Sequence, residues 1–273
     1  MIIDLLPLFL TLLIAGALAG ITAGLFGNGG GFVVVPALVF VFSILADPAS
    51  DLIFVAIGTS LATIVISSAR SVIAHRARGA VDFEVVRSWA PWLLVGVGVG
   101  LYLASFARPN QLYSVFAGGV LVYSIYFLFP KALSNMTFSE TMPTGLTRAT
   151  IASVLGGFSA LLGIGGGTPT VITMVACSRP IYQAVATASG VGFIIGLGGA
   201  VGFLILGLGK SDLPVGSMGY INVPSLIAMG VMSLFTAPIG AKWAHSLDED
   251  VLKRLFGIYL VAVSLSMFWK ASQ

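Results

Sequence analysis

The sequence predicts an all-α integral membrane protein made of two inverted repeats of five segments each: about eight full spans plus two short helices that follow glycine-rich breaks. Three observations predict it. Of 273 residues, 58% are hydrophobic and only 8% are charged, and the mean hydropathy is +1.05. A soluble domain carries about a quarter charged residues and could not cover its core with so few. Apolar runs near the 20 or so residues needed to cross a bilayer recur along the chain. One unusual motif occurs twice, half a chain apart.

Lipid offers the backbone no hydrogen-bond partners, so each apolar run is predicted to be helical. In order, the runs are 5–26, 32–45, 52–75, 88–106, 110–130, 146–163, 168–178, 183–208, 218–240 and 250–269. The first is preceded by Asp4 and by no Lys or Arg, unlike a cleaved signal peptide, so it is expected to stay in the membrane. Two runs, 32–45 and 168–178, are short, and each follows a glycine cluster. Between the halves, "KALSNMTFSETMPTGLT" is polar and contains Pro143 and Gly145. The expected organisation is a first repeat over 1–130, a cytoplasmic linker over 131–147 and a second, inverted repeat over 148–273.

The repeated motif is "GLFGNGGGFVVVP" (24–36) against "ALLGIGGGTPTVI" (160–172). Gly27 pairs with Gly163, and Gly29, Gly30 and Gly31 pair with Gly165, Gly166 and Gly167, at a constant offset of 136 residues. Three consecutive glycines cost about 1 kcal/mol each against alanine in a helix, and Pro36 and Pro169 each remove a donor, so the helix should open here. An open backbone at membrane depth persists only inside protein or beside a wet cavity. Paired breaks in inverted halves mark a transporter's central site, and the half-helix N-termini that follow suit an anion. Gly16, Gly20, Gly24, Gly96 and Gly100, spaced four apart, are instead expected to serve helix packing.

Charge orients the chain. Five segments per half invert the second half. Arg76, Arg78, Arg87, Lys131, Arg148, Arg179, Lys242, Lys253 and Arg254 then fall on one face, against Arg108, Lys210 and Lys270 on the other. The positive-inside rule puts the nine in the cytoplasm and both termini outside, in a cell (inner or plasma) membrane.

Polar residues at repeat-matched places complete the expected substrate site. Asn28 lies in the first break opposite Ile164, and Thr168 after the second opposite Phe32. Thr59 and Ser60 face Thr187 and Ser189 in the equivalent segment. The expected contacts are therefore Gly27, Asn28, Gly29, Gly30, Gly31, Thr59, Ser60, Gly163, Gly165, Gly166, Gly167, Thr168, Thr187 and Ser189. Arg70, inside a span, and Lys242 are expected either to anchor at the interface or to attract and gate an anion. No Asp or Glu sits mid-span, which argues against a carboxylate proton relay and a cationic substrate. His75 and His245 are expected at solvated helix ends. "GFSA" (157–160) has a Gly-x-Ser-x shape but no facing histidine for a membrane protease. One cysteine and two histidines give no metal cluster. No cofactor, no metal and no nucleic-acid partner is expected; the partners are a small anion, the bilayer and a possible second copy in a homodimer.

The doubled break, "GNGGGFVVVPAL" and "GIGGGTPTVI", together with "GTSLATI" (58–64) and "APIGAKWA" (237–244), resembles the sulfite exporter TauE/SafE family, also known as the toluene sulfonate uptake permease family. The resemblance covers nearly the whole chain. It implies a secondary transporter, not an enzyme, moving small sulfur-containing anions such as sulfite, thiosulfate-like oxyanions or organosulfonates such as sulfoacetate. A passive anion channel and an uptake permease are the alternatives.

Overall fold

The computed structural model describes residues 2–45, 51–129, 139, 141–243 and 249–273. Among them are ten α-helices: α1 (Ile2–Phe26), α2 (Gly31–Leu45), α3 (Leu52–Arg76), α4 (Phe83–Phe106), α5 (Pro109–Leu128), α6 (Gly145–Leu162), α7 (Gly167–Ala176), α8 (Ile181–Leu206), α9 (Val223–Trp243) and α10 (Glu249–Ala271). A small antiparallel hairpin, β1 (Ser217–Met218) and β2 (Ile221–Asn222), links α8 to α9. Eight helices are long and apolar enough to cross a bilayer, and the two shorter ones, α2 and α7, each follow a break. Most of the 131–147 stretch lies outside the described residues; α6 begins at Gly145.

Two helix starts differ from the hydropathy pattern by five residues, and polar caps explain both. α4 begins at Phe83 rather than 88 because the Asp82 carboxylate accepts from the backbone N–H groups of Glu84 and Val85, both at 3.1 Å. α9 begins at Val223 rather than 218 because residues 217–222 form the hairpin and Asn222 Oδ1 accepts from Ser225 N–H at 3.1 Å. Hydropathy averaged over a window cannot see either cap.

The helices pack chiefly in four pairs: α1 with α9, α4 with α6, α3 with α8 and α5 with α10. Small residues bring the backbones together. A Cβ on Gly16, Gly20 or Gly24 would overlap the backbone of α9 at Met229, Ser233 and Ala237, and one on Gly240 would overlap α1 at Ile21. Gly96 and Gly156 do the same across α4 and α6, at Ser153 and Leu93. With little hydrophobic drive between helices in lipid, such close approach is what holds them. Matching α1–α5 in order to α6–α10 turns α1·α9 into α6·α4, and leaves α3·α8 and α5·α10 as themselves.

Side-chain partners sort the helix ends into two faces. Asp51, before α3, accepts from the Tyr220 hydroxyl at 2.6 Å and pairs with Lys210, after α8, at 3.8 Å. Burial, then the hydrogen bond to Asp51 and its charge, push the Tyr220 phenol up from its ordinary value. At the same face Lys270 of α10 donates to Ser43 of α2 at 2.6 Å. The ends of α1, α3, α5 and α9 and the starts of α8 and α10 gather at the opposite face, around a cavity. Large apolar side chains such as Phe40, Tyr102, Phe106, Phe235 and Trp269 are exposed on the outside, as a lipid-facing belt requires.

Candidate functional site

The glycines of the two breaks share one backbone conformation. Gly27, Gly29 and Gly30 have φ of 66°, 70° and 82°, and Gly163, Gly165 and Gly166 have φ of 65°, 68° and 70°. An L-residue in that left-handed region costs about 1–2 kcal/mol. The sequence therefore spends its glycines where the chain must turn. In the first break, Gly30 comes to lie beside Ala19 of α1, so the chain doubles back. Gly31 and Gly167, which begin α2 and α7, are not left-handed. They are glycine for another reason: a Cβ on Gly31 would overlap the Gly163 carbonyl, and one on Gly167 would overlap the Gly27 carbonyl. The contact is reciprocal between residues 136 apart.

Helix α3 supports both breaks. Ile64, the middle residue of its 25, lies under Gly29 and Gly165 alike; a Cβ on either would sit 2.7 Å from Ile64 Cγ2. The Ser60 hydroxyl donates to Gly163 O at 2.7 Å, and two turns on the Ser67 hydroxyl donates to Gly29 O at 3.0 Å. Carbonyls freed by the unwound turn thus find partners inside protein, as they must in lipid. Asn28 is buried, and its Oδ1 accepts from Gly30 N–H at 3.0 Å, closing a small turn within the first break.

Thr59 and Thr187 have structural duties. Thr59 Oγ1 accepts from Asn222 N–H at 2.8 Å and so fixes the start of α9. Thr187 Oγ1 accepts from Asp82 N–H at 2.9 Å and fixes the start of α4. Each threonine holds the cap residue of a helix from the other half of the chain. Ser189 shares a 2.8 Å hydrogen bond with Ser71 and also donates to Val185 O. The structure therefore gathers Gly27–Gly31, Ser60, Gly163, Gly165–Gly167 and Thr168 around the breaks, while Thr59, Thr187 and Ser189 brace the surrounding helices. Arg70 and Lys242 are exposed.

Among the buried polar atoms of the described residues that have no hydrogen-bond partner within the protein, four lie on side chains near the breaks: Asn28 Nδ2, Ser68 Oγ, Ser159 Oγ and Thr168 Oγ1. Such atoms are rare in a folded core and mark a place for a ligand or water. Ser68 and Ser159 were not among the sequence candidates. Each stands on a helix that gives no local signal, and only packing brings it to the site.

A cavity of about 330 Å³ leads from one face to Thr168. Its walls are Leu25 and Phe26 of α1, Tyr126 and Phe127 of α5, Val171 of α7, Val185 of α8 and Leu252 of α10. Its mouth carries His75, Arg78 and Lys253, with no carboxylate among the lining residues. His75 is only 4% exposed and lines the cavity, which overturns the expectation of a solvated helix end; the helix α3 carries it beneath the 77–80 turn. His245 lies outside the described residues. At the position matching Thr168 in the first half stands Phe32. Phe32 is fully buried there, its ring 5.5 Å from Tyr123 and 6.1 Å from Phe256, with Phe26 stacked on Phe256 and Phe127 edge-on to both. No cluster of three or more His, Cys, Asp or Glu occurs among the described residues.

Known proteins share this chain's sequence. A probable membrane transporter protein of Haemophilus influenzae is 33% identical over 94% of this chain and 97% of its own length. A probable membrane transporter protein of Methanocaldococcus jannaschii is 26% identical over 96% of this chain and 95% of its own. The probable membrane transporter protein YunE of Bacillus subtilis is 24% identical over 96% and 98%. No solved structure matches. The model of the family described as sulfite exporter TauE/SafE matches residues 12–267. The protein is therefore a multi-pass membrane transporter and not an enzyme, and the chain belongs to the sulfite exporter TauE/SafE family.

Proposed function

We propose that the protein is a secondary transporter of small sulfur-containing anions, sulfite or a short organosulfonate such as sulfoacetate, working by alternating access around the paired glycine breaks. The observation that carries this is the cavity that runs from a basic mouth to Thr168, where it meets that residue's unpartnered buried hydroxyl at the first turn of α7. A half-helix N-terminus offers partial positive charge and free N–H groups. Hydroxyls and an amide add neutral donors, which together replace the water shell of an oxyanion that is costly to dehydrate.

The two halves, 1–130 and 148–273, are read as inverted repeats. Their breaks touch reciprocally, their helix pairs map onto one another, and Thr59 and Thr187 cap opposite halves. Rocking of one half on the other would then close the present cavity and open its counterpart, now filled by Phe32 and its aromatic neighbours. The described cavity opens on one face and ends at Thr168, which favours this carrier over a passive channel.

By the positive-inside rule the cavity opens to the cytoplasm and both termini lie outside the inner membrane. An inside-negative potential pulls an anion outward, worth about 2.3 kcal/mol per charge per 100 mV, so export needs no coupling ion. A thermal-shift screen of the purified protein against sulfite, sulfate, thiosulfate and short sulfonates tests the substrate class. A sulfur oxyanion that raises Tm in a saturable way supports it, and the absence of any shift with all of them counts against it.

A further inference from the structure

The unpartnered donors divide unequally between the two breaks: Ser68, Ser159 and Thr168 stand around the second, and only the Asn28 amide belongs to the first. Ser159, one turn before the end of α6, has its Oγ 3.2 Å from where a Gly166 Cβ would stand. Ser68 reaches in from α3: its Oγ and the Gly165 carbonyl lie 3.0 and 3.1 Å from the position of a Cβ on Gly192. Thr168 follows Gly167 in the first turn of α7, and Asn28 backs directly onto Gly167. The four atoms belong to residues 0–2% exposed, and all of them ring residues 165–168.

The first break is furnished differently. The 136-residue offset puts Ala23 in place of Ser159 and Phe32 in place of Thr168, both buried and apolar. Of its polar groups, Asn28 Oδ1 is used by Gly30 N–H and the Gly29 carbonyl by Ser67, and the Asn28 amide nitrogen stays open. The cavity, too, reaches Thr168 and stops.

We propose that the oxyanion head group binds at the second break alone, held by the hydroxyls of Ser68, Ser159 and Thr168 and the Asn28 amide at the start of α7, with the first break serving as its structural counterpart. This rests on the transport function proposed above and moves the site off the midpoint between the breaks. The set is neutral and rich in donors, with the partial positive charge of the α7 N-terminus beside it. It suits an oxyanion of low charge. Hydroxyls kept without partners in a dry core disfavour the empty protein, so removing one should cost affinity without costing fold.

The test is sulfite titration by calorimetry, with Tm of the unliganded protein measured alongside, on wild type, Ser68→Ala, Ser159→Ala, Thr168→Val and Ser67→Ala. Ser68→Ala and Ser159→Ala are expected to weaken sulfite binding about tenfold each, as loss of a hydrogen bond to a charged ligand does, with unliganded Tm unchanged or raised. Ser159→Cys, which keeps the volume and a weaker donor, should fall between. Ser67→Ala, at the first break, should lower Tm and leave affinity within about twofold. Wild-type affinity in Ser68→Ala and Ser159→Ala, with loss in Thr168→Val, overturns the second-break ring and leaves the transport function standing. Failure of wild type itself to bind sulfite overturns both.

Discussion

Gly167 rests so closely on Gly27 that a single methyl on Gly167 would overlap the Gly27 carbonyl oxygen, and Gly31 stands in the same relation to Gly163. The two breaks are thus locked to each other backbone to backbone, and α2 and α7 start from this contact. Gly31→Ala and Gly167→Ala are expected to push the breaks apart and cost 3 kcal/mol or more, since backbone, unlike a side chain, cannot swing aside; overpacking of flexible cores costs about 1–3 kcal/mol. Tm in detergent, or loss of monodisperse protein on purification, measures it.

Gly29 and Gly165 carry two constraints each, a left-handed φ and the Ile64 side chain beneath them. Alanine at either should cost roughly 1–2 kcal/mol from the backbone alone, and Ile64→Ala, which removes the Cγ2 carbon, should recover part of the steric share. Gly118, inside α5 with no atom near its missing Cβ, is the control: Gly118→Ala should be neutral or stabilising by up to about 1 kcal/mol. Equal destabilisation at all three positions in thermal unfolding would remove any special role from the breaks.

Thr59→Val and Thr187→Val each strand a backbone N–H at a helix start. The expected cost is roughly 1–3 kcal/mol apiece. Hydrogen exchange should quicken at the Asn222 amide in the first variant and at the Asp82 amide in the second, each in the half of the chain that was not mutated. Exchange that changes only near residue 59 or 187 would contradict the cross-half role.

Arg78 stands at the mouth of the cavity and points to electrostatic recruitment. Arg78→Glu should slow sulfite entry from that face about three- to tenfold at low ionic strength, with the difference shrinking near 0.5 M salt as charges are screened. A salt-independent loss would mean that Arg78 acts through structure instead.

Much of this was legible in the sequence because its signals are backbone signals. The 136-residue repeat found the breaks, since glycine takes φ near +70° without strain and only glycine admits a carbonyl against Cα. Spans were legible from hydropathy because a bilayer permits few alternatives. Starts of α4 and α9 were missed because Asp82 and Asn222 set them by single hydrogen bonds. Thr59 and Thr187 were singled out as substrate contacts, and the structure gives them capping partners that no spacing rule displays. Ser68 and Ser159 were passed over because a serine among apolar neighbours looks the same whether its hydroxyl is satisfied or left open.

The central claim is that the protein carries a sulfur oxyanion by alternating access through these breaks, and counterflow in proteoliposomes tests it most directly. Vesicles loaded with unlabelled sulfite and diluted into trace labelled sulfite should accumulate label transiently, with saturable rates, and a folded Gly166→Leu variant should not. Label that equilibrates without overshoot at a rate linear in concentration, or a Gly166→Leu variant that transports as wild type does, would contradict the account.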